Sequence, residues 1–154
     1  MFIKDKYFSM NFIMKTFKIP TLLIIFFLFL FPNCRKNDEP VPYVYVNFYV
    51  NLSSPQFISL TSVGGWVYVT GGYKGIVIYR NSIDEFCAYD RACTYKPTTD
   101  CERIDVEDNG ITAIDSCCGS RFLLMDGSVV NGPATVSLTR YKTYYNGTSV
   151  QVTN

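Results

Sequence analysis

Six cysteines and no histidine define the chemistry open to this chain of 154 residues. Without an imidazole there is no histidine general base and no histidine ligand for zinc or iron. Five cysteines remain within one stretch, Cys87, Cys93, Cys101, Cys117 and Cys118. Three kinds of sulfur chemistry are open to them: structural disulfides, metal thiolates and a redox-active thiol pair. In an exported protein disulfides are the first expectation, and five being odd, two bridges leave one thiol over. Cys117 and Cys118 are neighbours, and a bond between them would distort the intervening peptide, so they are expected to reach different partners. The rival is a metal site in which Cys93, Cys101, Cys117 and Cys118 give four thiolates to zinc or to an all-cysteine iron–sulfur cluster, although the paired Cys-x-x-Cys spacing of ordinary zinc sites is missing. Cys87 reads as a buried small hydrophobe or a spare, weakly reactive thiol.

Other polar clusters carry less. Asp84-Glu85 and Asp105-Val106-Glu107-Asp108 lack the ligand periodicity of a calcium loop and read as solvated turn charges. Ser116 and Ser120 have no base near them in sequence to make a nucleophile. The many tyrosines, among them Tyr43, Tyr45, Tyr49, Tyr68, Tyr73, Tyr79, Tyr141, Tyr144 and Tyr145, are expected to pack as cross-strand pairs with their hydroxyls at the rim. Asn51-Leu52-Ser53 and Asn146-Gly147-Thr148 match the glycosylation pattern and are read as turn chemistry. Four of the 14 basic residues, Lys4, Lys6, Lys15 and Lys18, precede residue 20, so from Cys34 onward acidic side chains outnumber basic ones. That balance argues against nucleic acid as a partner.

The elements that position these residues begin with an export leader. Residues 19–32 form an apolar run of signal-peptide length, short for a membrane span, with Lys15 and Lys18 before it. Residues 1–33 are therefore read as a signal peptide whose true start could be Met14, and a permanent membrane anchor is the alternative. Cys34 lies just past the run, after Asn33, and is itself followed by the polar stretch Arg35 to Pro40. This junction resembles the lipid-modified cysteine of bacterial lipoproteins of the Bacteroidetes type, although Phe31 and Asn33 depart from the usual motif. The resemblance implies acylation of Cys34, a lipidated N-terminus and linker over 34–43, and attachment to the bacterial cell envelope at the periplasmic or outer-membrane surface. The other reading is an ordinary leader cleavage with a free Cys34.

Residues 44–154 read as an all-β domain. Val44, Val46, Phe48, Val50 and Leu52 alternate with Tyr45, Asn47, Tyr49 and Asn51 in strand periodicity. Further strands are expected over 66–70, 75–80, 103–106, 121–125, 128–130, 140–145 and 149–152, and no segment shows sustained helical spacing. Asp126-Gly127 and Asn146-Gly147 supply hairpin turns, making the C-terminal third antiparallel. Roughly 110 residues of short strands suffice for a small antiparallel sandwich or barrel with limited core, for which disulfide staples would compensate.

Two stretches resemble the cluster-binding loops of Rieske iron–sulfur proteins. In the first, Phe86-Cys87-Ala88-Tyr89-Asp90-Arg91-Ala92-Cys93-Thr94-Tyr95, Cys93 stands at the family's cysteine and Tyr95 at its histidine. In the second, Asp115-Ser116-Cys117-Cys118-Gly119-Ser120-Arg121-Phe122, Asp115 stands at the cysteine and Cys118 at the histidine. Asp126-Gly127-Ser128, Gly132-Pro133-Ala134 and Leu138 follow in matching order. The resemblance implies a Rieske-like fold and four former cluster-ligand positions, Cys93, Tyr95, Asp115 and Cys118. A Rieske cluster needs two thiolates and two imidazoles, which these residues cannot supply. The family's inter-loop disulfide further implies a link between Cys101 and Cys117, leaving Cys93 to bond Cys118; the crossed pairing is the alternative.

The expectation is an exported, lipid-anchored envelope protein with a degenerate cluster site, no resident cofactor and a binding or structural role toward an unknown envelope protein or small ligand. It is more an interaction module than an enzyme. The alternative is an electron-transfer or thiol-redox protein holding a nonstandard [2Fe-2S] cluster or zinc through cysteines.

Overall fold

The computed structural model describes residues 40–154, so the leader and Cys34 lie outside the described residues. Among the described residues no helix is long and apolar enough to cross a membrane. The described residues form ten strands in two antiparallel sheets: β1 (Asn47–Asn51), β2 (Trp66–Val69), β3 (Ile76–Arg80), β4 (Phe86–Asp90), β5 (Ile104–Val106), β6 (Thr112–Asp115), β7 (Arg121–Leu123), β8 (Val129–Asn131), β9 (Arg140–Tyr145) and β10 (Ser149–Thr153). The larger sheet has the order β1-β10-β9-β4-β3-β2, and the smaller the order β5-β6-β7-β8. The antiparallel all-β architecture expected from the strand periodicity is what forms.

Strands β3 and β4 explain how two cores share one wall. Side chains alternate across a strand. Ile76, Ile78, Phe86 and Ala88 point into one core with Val46, Val50, Leu60, Val150 and Val152. Val77, Tyr79, Cys87 and Tyr89 point into the other with Ile104, Ala113, Phe122, Leu124 and Leu138. Both strands therefore read as near-continuous apolar runs, as strands covered on both faces must. Along β1 and its flanking residues, covered on one face, Val46, Val50 and Leu52 are buried while Tyr45 and Tyr49 stand exposed.

The two asparagines of the glycosylation-like triplets serve as turn acceptors. Asn51 Oδ1 accepts the Ser53 N–H at 2.9 Å, and Asn146 Oδ1 accepts those of Thr148 at 3.0 Å and Ser149 at 2.8 Å. Gly127 and Gly147 adopt positive φ in the two hairpins, as expected. Two elements differ from the sequence reading. Pro55–Thr61 forms a 3₁₀ helix whose buried residue is Leu60; a segment this short has no repeat to reveal it. Strand β6 carries only Ala113 and Asp115 fully inward, a small residue and an acid, and so lacks an apolar stripe.

Contacts through Arg91 join the small sheet to the large one. Its Nε donates to the Ile104 carbonyl at 3.1 Å, its guanidinium pairs with Asp105 and lies 3.6 Å from the centre of the Tyr68 ring, and the Val106 N–H donates to the Tyr68 hydroxyl at 2.7 Å. The bridge between Ala92 and Arg103 continues this seam.

Candidate functional site

Three segments converge at the end of that seam. After β4 the chain runs alongside the residues preceding β5: the Ile104 N–H donates to the Arg91 carbonyl at 2.8 Å and the Cys93 N–H to the Glu102 carbonyl at 3.3 Å. This places Cys93 and Glu102 beside one another. The third segment is the turn between β6 and β7. There the Gly119 N–H closes on the Asp115 carbonyl at 2.7 Å, and Gly119 takes φ +82°, a conformation that favours glycine. Asp115 Oδ1 accepts the N–H groups of Cys117 at 2.7 Å and Cys118 at 3.3 Å, so the carboxylate holds the turn from inside. The Cys118 thiol donates to Ser120 Oγ at 3.1 Å, and Ser120 Oγ accepts the Ala134 N–H at 2.9 Å. That bond docks the Gly132-Pro133-Ala134 segment, whose Gly132-Pro133 peptide is cis, against the site.

The result is a cluster of four donor groups, with Cys93, Glu102 and Asp115 buried and Cys118 half-buried. The sulfurs of Cys93 and Cys118 lie 3.5 Å apart. Donor atoms of Cys93, Glu102, Asp115 and Cys118 all fall within 4.8 Å of one another. Glu102 is 4% exposed and Asp115 0%, and each has one carboxyl oxygen, Oε2 and Oδ2, buried without a hydrogen-bonding partner. Burial pushes the Cys93 thiol well above the usual thiol range, and the Cys118 thiol is raised by the same cause. The Glu102 carboxyl is raised by burial first and then by Asp115 beside it.

Of the residues singled out in the sequence, Cys101 and Cys117 are joined by a disulfide with Cα atoms 5.7 Å apart. A four-thiolate metal set of Cys93, Cys101, Cys117 and Cys118 is therefore not assembled, because two of its sulfurs are bonded to each other. Cys93 and Cys118, expected to bond directly, stand as separate thiols in contact, with two carboxyl groups drawn up to them. Tyr95 is half-buried against the same core, with the Lys96 ammonium 5.1 Å from its ring centre. Cys87 is fully buried, its thiol donating to the Met125 carbonyl at 3.2 Å.

The exposed acids behave as turn charges. Asp105 pairs with Arg91, Glu107 with Arg121 at 3.1 Å, and Glu85 with Arg140 at 3.7 Å. Glu102 is the member of the cluster that the sequence reading passed over. Its signal is the strand alternation itself: Ile104 faces inward while Arg103 and Asp105 face out, so the same period puts Glu102 inside.

No family model matches the chain, and no curated protein matches it. Solved structures do. The plasma-membrane Rieske protein of the cyanobacterium Synechocystis PCC 6803 superposes with a TM-score of 0.52 at 20% identity, over 68% of this chain and 99% of that one. The ferredoxin of carbazole 1,9a-dioxygenase from Nocardioides aromaticivorans superposes with a TM-score of 0.47 at 12% identity, over 72% of this chain and 98% of that one. The fold is Rieske-like on the first of these superpositions.

The residues do not fit a Rieske [2Fe-2S] cluster. That group takes two thiolates on one iron and two imidazoles on the other, whereas the chain contains no histidine. The 3.5 Å contact between Cys93 and Cys118 is the span of two ligands on one centre, too short for ligands of two different irons.

Proposed function

We propose that this chain is an exported, lipid-anchored protein of the bacterial cell envelope whose Rieske-like domain has given up its [2Fe-2S] cluster and serves a binding or structural role. The observation that carries this reading is the composition of the cluster position: Cys93 and Cys118 in sulfur–sulfur contact, flanked by the Glu102 and Asp115 carboxyls, with no imidazole in the chain. A set of four potential anions lacks the neutral nitrogen ligands that give a Rieske cluster its high potential. The Cys101–Cys117 bond, buttressing the same loops, suits an oxidising compartment. The apolar run over residues 19–32 reads as the export signal and Cys34 just beyond it as the site of the anchor.

Visible absorption, iron and acid-labile sulfide, measured on protein purified anaerobically, test the loss of the cluster. A colourless protein without sulfide is expected; a coloured one with two irons and two sulfides would establish electron transfer instead. Mass spectrometry of the mature N-terminus tests the anchor. A diacylglyceryl-modified Cys34 is expected, and an unmodified residue in that place would remove lipidation from the reading.

A further inference from the structure

The four groups where a cluster would lie, three of them buried and Cys118 half-buried, are themselves arranged as ligands. We infer that Cys93, Glu102, Asp115 and Cys118 together bind one thiophilic dication in tetrahedral geometry, with zinc the best match, as a closed structural site. The inference rests on the cluster loss proposed above.

Distance is the first argument. With zinc–sulfur bonds of about 2.3 Å, two thiolates on one tetrahedral ion stand about 3.8 Å apart. The Cys93 and Cys118 sulfurs are at 3.5 Å, and both carboxyls lie within the same 4.8 Å envelope.

The second argument is the pair of orphaned oxygens. Glu102 Oε2, just before β5, and Asp115 Oδ2, at the end of β6, are both buried and without a hydrogen-bonding partner. Buried polar atoms in folded proteins are nearly always satisfied. One cation between them satisfies both.

The turn is also built as a ligand turn. Asp115 and Cys118 are separated by two residues, the spacing by which Cys-x-x-Cys knuckles place two donors on one zinc, with a carboxylate in place of the first thiolate. The backbone N–H groups of Cys117 and Cys118 occupy Asp115 Oδ1 and leave Oδ2 free to point at the ion, which is the orienting support expected around a metal ligand. Charge and softness decide the ion. Four anionic donors on a dication leave the same net charge as a four-cysteine zinc site. Two thiolates favour zinc over calcium or magnesium. Four protein ligands leave no open position, so the ion is a clamp tying the chain after β4 to the start of β5 and the β6–β7 turn.

The test uses the full chain purified anaerobically without chelator. Elemental analysis is expected to give about one zinc per chain, and X-ray absorption at the zinc edge a shell of two sulfurs and two oxygens. Cobalt substitution should give the intense visible bands of a tetrahedral thiolate site. Glu102→Gln and Asp115→Asn should each weaken zinc binding, measured against a competing chelator, by at least about 100-fold, while Cys87→Ser leaves it unchanged. Retention of full affinity in both carboxyl variants, or a four-sulfur shell, would overturn the inference; the wild-type spectrum decides even where a variant fails to fold. A metal-free protein with a Cys93–Cys118 disulfide would also overturn it, yet leave the cluster-free function standing. Two irons with two sulfides would overturn both.

Discussion

The Tyr141 hydroxyl on β9 donates to Asp90 Oδ2 at the end of β4, across 2.8 Å in a fully buried setting. Asp90 also accepts the N–H groups of Tyr73 at 2.6 Å, Lys74 at 3.2 Å and Ala92 at 2.8 Å. A carboxylate 1% exposed is thus satisfied from three directions, and it ties the loop after β2 to the edge that leads into Cys93. Tyr141→Phe removes one hydrogen bond to a charged group and should cost about 1.5–3 kcal/mol. Asp90→Ala strands three backbone donors as well and should cost more. In urea denaturation the double variant should lose less than the sum of the singles; strict additivity would show the pair to be uncoupled.

The Cys101–Cys117 bond closes a loop with a sequence separation of 16. Cross-links of that reach typically add about 3 kcal/mol by restricting the unfolded chain. A Cys101→Ala/Cys117→Ala variant should therefore unfold at lower denaturant than the oxidised parent, and adding reductant should lower the parent but not the variant. An oxidised parent indistinguishable from the variant would mean that the loop gains nothing from its staple.

Two hairpin glycines separate backbone freedom from packing. At Gly147, φ is +93° and an added Cβ would meet nothing within 4 Å; at Gly127, φ is +77° and an added Cβ would lie 2.7 Å from the buried Tyr89 ring. Gly147→Ala should cost only the left-handed strain, about 1–2 kcal/mol. Gly127→Ala should cost that plus an overpacking penalty of about 1–3 kcal/mol. Thermal midpoints of the two variants give the comparison, and equal losses would refute a packing role for Gly127.

Alternation made β1, β9 and β10 legible, because each presents Val or Tyr to one face and polar residues to the other. The same rule is silent where inward positions are small or acidic, as at Ala113 and Asp115 on β6. Cys93, Asp115 and Cys118 could be placed at one locus from their motif order, whereas for Glu102 alternation with Ile104 gives only an inward direction and not its place beside Cys93. Its membership depends on the bridge between Ala92 and Arg103, a pairing of residues outside the named strands that leaves no mark in composition. That two carboxyls share the space around the Cys93 and Cys118 thiols is a three-dimensional arrangement that no spacing records.

Glu107 gives a pH signature away from the site. Thr112 Oγ1 donates to its Oε2 at 2.6 Å and Arg121 Nε to its Oε1 at 3.1 Å, and these bonds, the threonine's first, lower the carboxyl below its ordinary range. A carboxyl whose folded pKa lies below the unfolded one adds stability above the unfolded pKa and loses it as pH falls through the folded pKa. Wild type should therefore exceed Glu107→Gln in thermal midpoint near neutrality, with the difference closing as pH drops through the acid range. Because the pair is partly open to solvent, its side chains 44% and 25% exposed, added salt should shrink the part due to Arg121 while sparing the Thr112 bond. A difference that persisted unchanged into strong acid would show that the Gln substitution acts through something other than the carboxylate's charge.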